Sequence, residues 1–122
     1  MTNADVREKL SAAAFGQSPI TDASHLVVFA YKKSLGDGDV EHFIDRISDV
    51  RKQDRSTLAE YESILKGSVN KAVESGTVET WNSRQAYIPL GSLLHSAAML
   101  GIDAPPMEGF DPNQVNEILG LT

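Results

Sequence analysis

The residues of this 122-residue chain best suited to chemistry lie near its end, in Pro105-Pro106-Met107-Glu108-Gly109. Proline fixes φ and stiffens the backbone, while glycine lets a main chain come close to a flat molecule. A segment with both features can hold peptide N–H groups against a ligand edge. The same residues also make an ordinary turn leading into a helix, with no ligand at all. The start of that helix is well specified. Asp111 is placed to cap it, Pro112 takes the first helical position and Gln114 the third, with Phe110 and Val115 at the hydrophobic staple positions.

Other chemistries lack support. There is no cysteine, which removes disulfides, thiolate metal sites and a cysteine nucleophile and fits a reducing compartment such as the cytoplasm. His25, His42 and His95 fall on three different elements, and Glu41-His42 is not followed by a second histidine four residues on, so no metal is expected. Asp37-Gly38-Asp39 begins like a calcium loop, but His42 stands where such a loop needs glycine. Neither a Gly-x-Gly-x-x-Gly run nor a phosphate-binding lysine loop is present. A formal net charge of -6 argues against general nucleic-acid binding, which rests on neutralising phosphates. No apolar run approaches the roughly 20 residues of a membrane span.

These segments need a scaffold, and the length suits a single domain over residues 1–122. Apolar residues make up 41%, enough for a core. An alanine-rich helix is expected from Asp5 to Phe15, ended by Gly16 and Pro19. Leu26 to Tyr31 is β-branched, aromatic and apolar on both faces, so it reads as a short buried strand inside a sheet. Asp39 is expected to cap a helix carrying Val40, Phe43, Ile44, Ile47 and Val50 at helical spacing. Thr57 and Glu60 form a capping-box pattern for a second helix bearing Leu58, Tyr61, Leu65, Val69 and Val73. A third helix, capped by Thr77, runs from about Val78 to Leu100, with Pro89 expected to kink or interrupt it. Its broad apolar coverage predicts burial in the core or against a partner. The fold class expected is α+β, rich in helix with a small sheet.

One stretch carries a more specific pattern. Between Trp81 and Asp111 stand Arg84-Gln85-Ala86-Tyr87, Leu90-Gly91-Ser92-Leu93-Leu94, Ala97 to Asp103, and Pro106-Met107-Glu108-Gly109-Phe110-Asp111. In order and spacing these blocks resemble the FMN-dependent nitroreductase family, in its branch of oxygen-insensitive NAD(P)H nitroreductases and dihydropteridine reductases. Asp22 to Phe29 resembles the strand that precedes the variable helices of that family. The resemblance runs from about Val6 to Thr122 and is weak between Lys32 and Gly76.

The resemblance implies an α+β nitroreductase-like fragment and an FMN cofactor. Pro106 and Met107 would pack near the flavin ring, and Glu108 and Gly109 would present amides to its edge. Tyr87 would lie on the substrate side, although a buried helix tyrosine accounts for it better. The implied activity is reduction of nitroaromatics or quinones by NAD(P)H through ping-pong hydride transfer, in a homodimer. Relatives also carry phosphate-binding arginines, a Ser/Asn-rich stretch, a later strand and a C-terminal extension, none of which has a counterpart here. Gly16 and Pro19 stand where close relatives place an asparagine and a lysine that touch the cofactor. The chain is therefore expected to bind FMN weakly or not at all by itself. Two non-enzymatic alternatives remain open: a remnant with a structural or interaction role, and a piece that complements another chain.

Overall fold

The computed structural model describes residues 1–121. Among the described residues the regular structure is six α-helices and one 3-10 turn: α1 (Ala4–Ala13), α2 (Pro19–Asp22), α3 (Asp37–Arg51), the 3-10 turn (Arg55–Leu58), α4 (Ala59–Glu74), α5 (Val78–Met99) and α6 (Pro112–Leu119). They fall into two compact units. One comprises residues 1–29 and 89–122, the other residues 30–88.

In the first unit, α1 starts where the Asn3 side chain accepts a hydrogen bond from Val6 N at 3.1 Å. It ends in a left-handed turn at Phe15 and Gly16, with Gly16 N donating to Ser11 O at 2.8 Å. Phe15 bears the strain of that turn without any packing gain, since its side chain is 77% exposed. Leu10, Ala14 and Ile20 form the buried centre, and Val6, Leu26, Met107, Val115, Ile118 and Leu119 pack around it. The apolar stripes of α1 and α6 thus close over the short α2. The carboxylate of Asp111 accepts from Asn113 N at 2.9 Å and Gln114 N at 3.3 Å, as a helix cap should. Val115 joins the cluster, whereas its expected staple partner Phe110 remains 36% exposed.

In the second unit, Val40 and Ile44 of α3 meet Leu58 at the end of the 3-10 turn. Ile47, Leu65 and Val69 pack against them. Ile44 is fully buried. Asp39 is not the cap residue of α3. The helix begins two residues earlier, and Asp39 reaches back to accept from Gly36 N at 3.0 Å. Thr57 likewise falls inside the 3-10 turn, which Asp54 caps by accepting from Ser56 N at 2.8 Å. The Thr77 carbonyl accepts from Trp81 N at 3.0 Å, so this residue does open α5. Its hydroxyl meets Ser75 Oγ at 2.9 Å rather than the first turn of the helix.

The expected α+β class is wrong. Among the described residues there is no strand, and the molecule is helical. Leu26 exchanges two hydrogen bonds with Met1, at 2.7 and 3.0 Å, but no ladder extends from that pair over residues 27–31. Val27 and Tyr31 are 54% and 45% exposed, so the run is not buried either. β-Propensity describes side chains that suit a pleated surface with neighbours, and a lone extended segment has no neighbouring strand to hold it. Of the kink or interruption expected at Pro89, the interruption is absent, since α5 runs unbroken from Val78 to Met99. Its apolar face is largely open: Trp81, Tyr87 and Ile88 are each more than half exposed.

Candidate functional site

The segment 102–109 is irregular, lies wholly in the first unit and is fixed at both ends. At its start, Gly101 adopts a left-handed φ and Ile102 N donates to Ala97 O at 2.9 Å, closing the end of α5. At its end, Asp111 N donates to Ala13 O at 2.9 Å, tying the entrance of α6 to the last turn of α1. Between these ties only Met107 turns inward, onto the Leu10–Ala14–Ile20 cluster. Pro105, Pro106, Glu108 and Gly109 are exposed. The structure thus separates the four residues singled out in the sequence. Met107 packs into this unit's own core, and the other three stand at the surface.

Backbone donors follow the same division. Phe110 N donates to Glu108 O at 3.1 Å. The N–H groups of Met107 and Gly109 make no hydrogen bond among the described residues. In a folded chain, a main-chain donor without an internal acceptor must meet water or a ligand. Gly109 does not need a left-handed φ. A Cβ there would sit 3.4 Å from Gln17 Nε2, which is ordinary contact range. What glycine contributes is an uncovered backbone.

Two polar side chains that sequence reasoning passed over organise this region. Gln17 Nε2 donates to Gly109 O at 2.6 Å and to Ala14 O at 3.1 Å, joining residues 92 positions apart. Nothing in the sequence signals a contact of that range. Arg7 is buried and spends its guanidinium on main-chain carbonyls, with Nε to Ile20 O at 2.6 Å, Nη1 to Ser24 O at 3.4 Å and Nη2 to Ala23 O. A cation on the Val6–Leu10–Ala14 face of a helix was a visible hint of such a clamp. Asp111 is held below the usual carboxylate range, first by the Gln114 side-chain amide and then by the main-chain N–H groups it caps.

The donor set can be tested against an FMN-like group. The N–H groups of Met107 and Gly109 suit the acceptor edge of a flavin ring. The phosphate finds less. Arg7 and Lys9 are the only arginine or lysine in residues 1–29 and 89–122, and Arg7 is fully engaged with carbonyls. The residues present therefore fit the ring edge and do not fit the phosphate.

Tyr87 belongs to the second unit, on α5, and is 53% exposed. Its placement on a substrate side rests on the resemblance alone. The same unit has an open groove lined by Tyr31, Leu35, Trp81 and Gln85, floored by Asn82, whose Nδ2 donates to Lys32 O at 2.6 Å. Lys32 Nζ is engaged by Asp39, so the groove offers aromatic walls and no uncommitted cation. Among the described residues no cluster of three or more His, Asp or Glu side chains is arranged to hold a metal ion. Among the described residues no helix is long and apolar enough to cross a membrane.

No family model matches the chain. Individual proteins do. A Staphylococcus epidermidis protein provisionally named an NAD(P)H nitroreductase is 39% identical over 123 aligned positions, covering 96% of this chain and 54% of its own length. A Haemophilus influenzae protein of the same provisional name is 32% identical over 123 positions, with the same two shares. The major NAD(P)H-flavin oxidoreductase of Aliivibrio fischeri is 34% identical over 105 positions, 85% of this chain and 48% of its own length. The chain spans about half the length of the curated relatives it matches. Similarity of this order along nearly the whole chain, together with the motif blocks between Trp81 and Asp111, makes the chain a member of the nitroreductase family.

Proposed function

We propose that this chain forms the ring-edge portion of an FMN-dependent NAD(P)H oxidoreductase. The activity would reduce nitroaromatics or quinones by ping-pong hydride transfer in the cytoplasm. The observation that carries this reading is the fixed loop 102–109, whose Met107 and Gly109 N–H groups have no acceptor among the described residues. The names of relatives support the redox class, since they specify NAD(P)H and, in one case, flavin. FMN, when bound, supplies the ring that accepts and passes on hydride.

The protein's part is positional and electrostatic. Pro105 and Pro106 restrict the loop, Met107 anchors it on the core, and the Gly109 N–H group would be available to a ring edge that gains negative charge. Such donors are most effective when they need no reorganisation, and the ties at Ala13 and Ala97 hold this loop in place beforehand. The phosphate has no comparable partner in this unit, so affinity for FMN comes from the ring and is weak.

Titration of FMN into the chain, followed by flavin fluorescence, tests both parts of this reading. Weak, saturable binding unaffected by excess inorganic phosphate is expected. A micromolar or tighter stoichiometric complex that phosphate displaces would show that a cationic site holds the cofactor. Absence of any binding would remove the flavin reading and leave a structural or interaction role.

The assembled enzyme is proposed to be a homodimer. The support is apolar surface left open on the chain, notably Trp81, Ile88, Met99 and Leu100. Light scattering that finds a clean monomer at high concentration would contradict this.

A further inference from the structure

We infer that Gln17 is the positioning residue of the loop, a strut whose side-chain amide sets how Met107 and Gly109 present their N–H groups. The inference rests on the flavin reading for its purpose and on the geometry alone for its mechanics. Both acceptors of Gln17 Nε2 are carbonyl oxygens, Gly109 O at 2.6 Å and Ala14 O at 3.1 Å. Only the NH2 end of a carboxamide can serve two carbonyls, so the orientation of the side chain is fixed by chemistry and its donor capacity is full.

Ala14 is buried at the end of α1, where its main chain cannot shift without disturbing the core. The strut therefore ties an exposed peptide to an immobile one. The other hydrogen bonds that tie the segment to its unit act at Ile102 and Asp111, outside the residues that would face a ligand. Gln17 acts on that stretch itself, and its bond to Gly109 O limits rotation of the peptide plane joining Gly109 to Phe110. In a site built from main-chain donors, a misplacement of about 1 Å removes much of the benefit.

The test uses the whole chain labelled for amide NMR, with Gln17→Ala and Gln17→Glu. A carboxylic acid carries one proton, which it can donate to Gly109 O while leaving Ala14 O unserved, and a carboxylate can donate to neither. The Gln17→Glu variant should therefore show wild-type Gly109 and Phe110 amide signals at low pH and lose them as the introduced carboxyl group ionises. The midpoint should lie above the ordinary value of about 4.3, because the neutral form is the bonded one. Gln17→Ala should show the displaced signals at every pH. At equal FMN concentration, its FMN-induced shifts at Met107 and Gly109 should fall about tenfold.

A side chain that merely fills space would produce no such titration. If the Gly109 and Phe110 signals of both variants match wild type across the pH range, the strut does not exist. If FMN moves no loop signal in the wild-type chain while the Gln17→Glu titration appears, the flavin reading fails and the strut stands.

Discussion

The two units hold themselves together differently. In residues 30–88 the core contacts join neighbours in the chain: α3, the 3-10 turn and α4 close on Val40, Ile44 and Leu58. Their exposed side is laced by ion pairs, Arg55 with Asp45 and Glu62, and Lys66 with Glu41 and Glu62. In the other unit the contacts join distant segments. Met107 and α6 pack on Leu10 and Ile20, Gln17 holds Gly109, and Ala13 holds Asp111. A helical hairpin rests on periodicity and tolerates change at its surface. An assembly that must place an irregular loop depends on a few polar side chains aimed at carbonyls.

The largest effect expected from this contrast is at Ile44. Its replacement by alanine empties a fully buried site and should cost about 2–5 kcal/mol, read from hydrogen exchange of α3 and α4 amides. A cost below about 1 kcal/mol would mean that the hairpin core is far looser than its packing implies. Arg7→Met comes next. It keeps the bulk of the stem but leaves three carbonyls without their donor, and should cost about 1–3 kcal/mol in the α1–α2 amides. Lysine should not restore the loss, since one ammonium cannot reproduce the planar fork.

Legibility from sequence follows the same divide. The stripe on α3 was visible because Val40, Ile44 and Ile47 recur at helical spacing and pack against the next elements of the chain. The Asp111-Pro112 start of α6 was visible for a similar reason, as capping is local chemistry. The start of α3 lies three residues before the one expected, because Gly36 and not Asp39 takes the cap position, and α4 starts one residue late, at Ala59, behind a 3-10 turn that Asp54 caps. The run over residues 26–31 misled because its residue types describe a surface that needs neighbouring strands, and propensity cannot say whether they are there. Loop 102–109 could be located from its prolines and glycine. The inward turn of Met107 and the reach of Gln17 could not, since each depends on residues some 90 positions away.

Smaller effects sharpen the contrast. The Asp111 carboxyl titrates below its unfolded value of about 3.9, so its stabilising contribution is complete above that pH and fades as pH falls through the lowered folded value. Acid-unfolding curves of wild type and Asp111→Ala should accordingly separate near neutrality and converge in strong acid. Curves that stay parallel would mean the cap does not depend on the charged form. Gly109→Ala should alter stability by less than about 0.5 kcal/mol, because a Cβ meets only ordinary contact, while reducing the response of the loop to FMN. Lys66→Ala should change least of all, with any difference shrinking in added salt, as expected for exposed ion pairs.

The uncovered main-chain donors of loop 102–109 either meet a flavin or meet only water. Amide correlation spectra of the labelled chain during FMN addition separate the two directly. The prediction is progressive, saturable movement of the Met107 and Gly109 signals, exceeding that of any α3 or α4 amide. Stationary signals at those two residues throughout the titration, with or without shifts elsewhere, would contradict it.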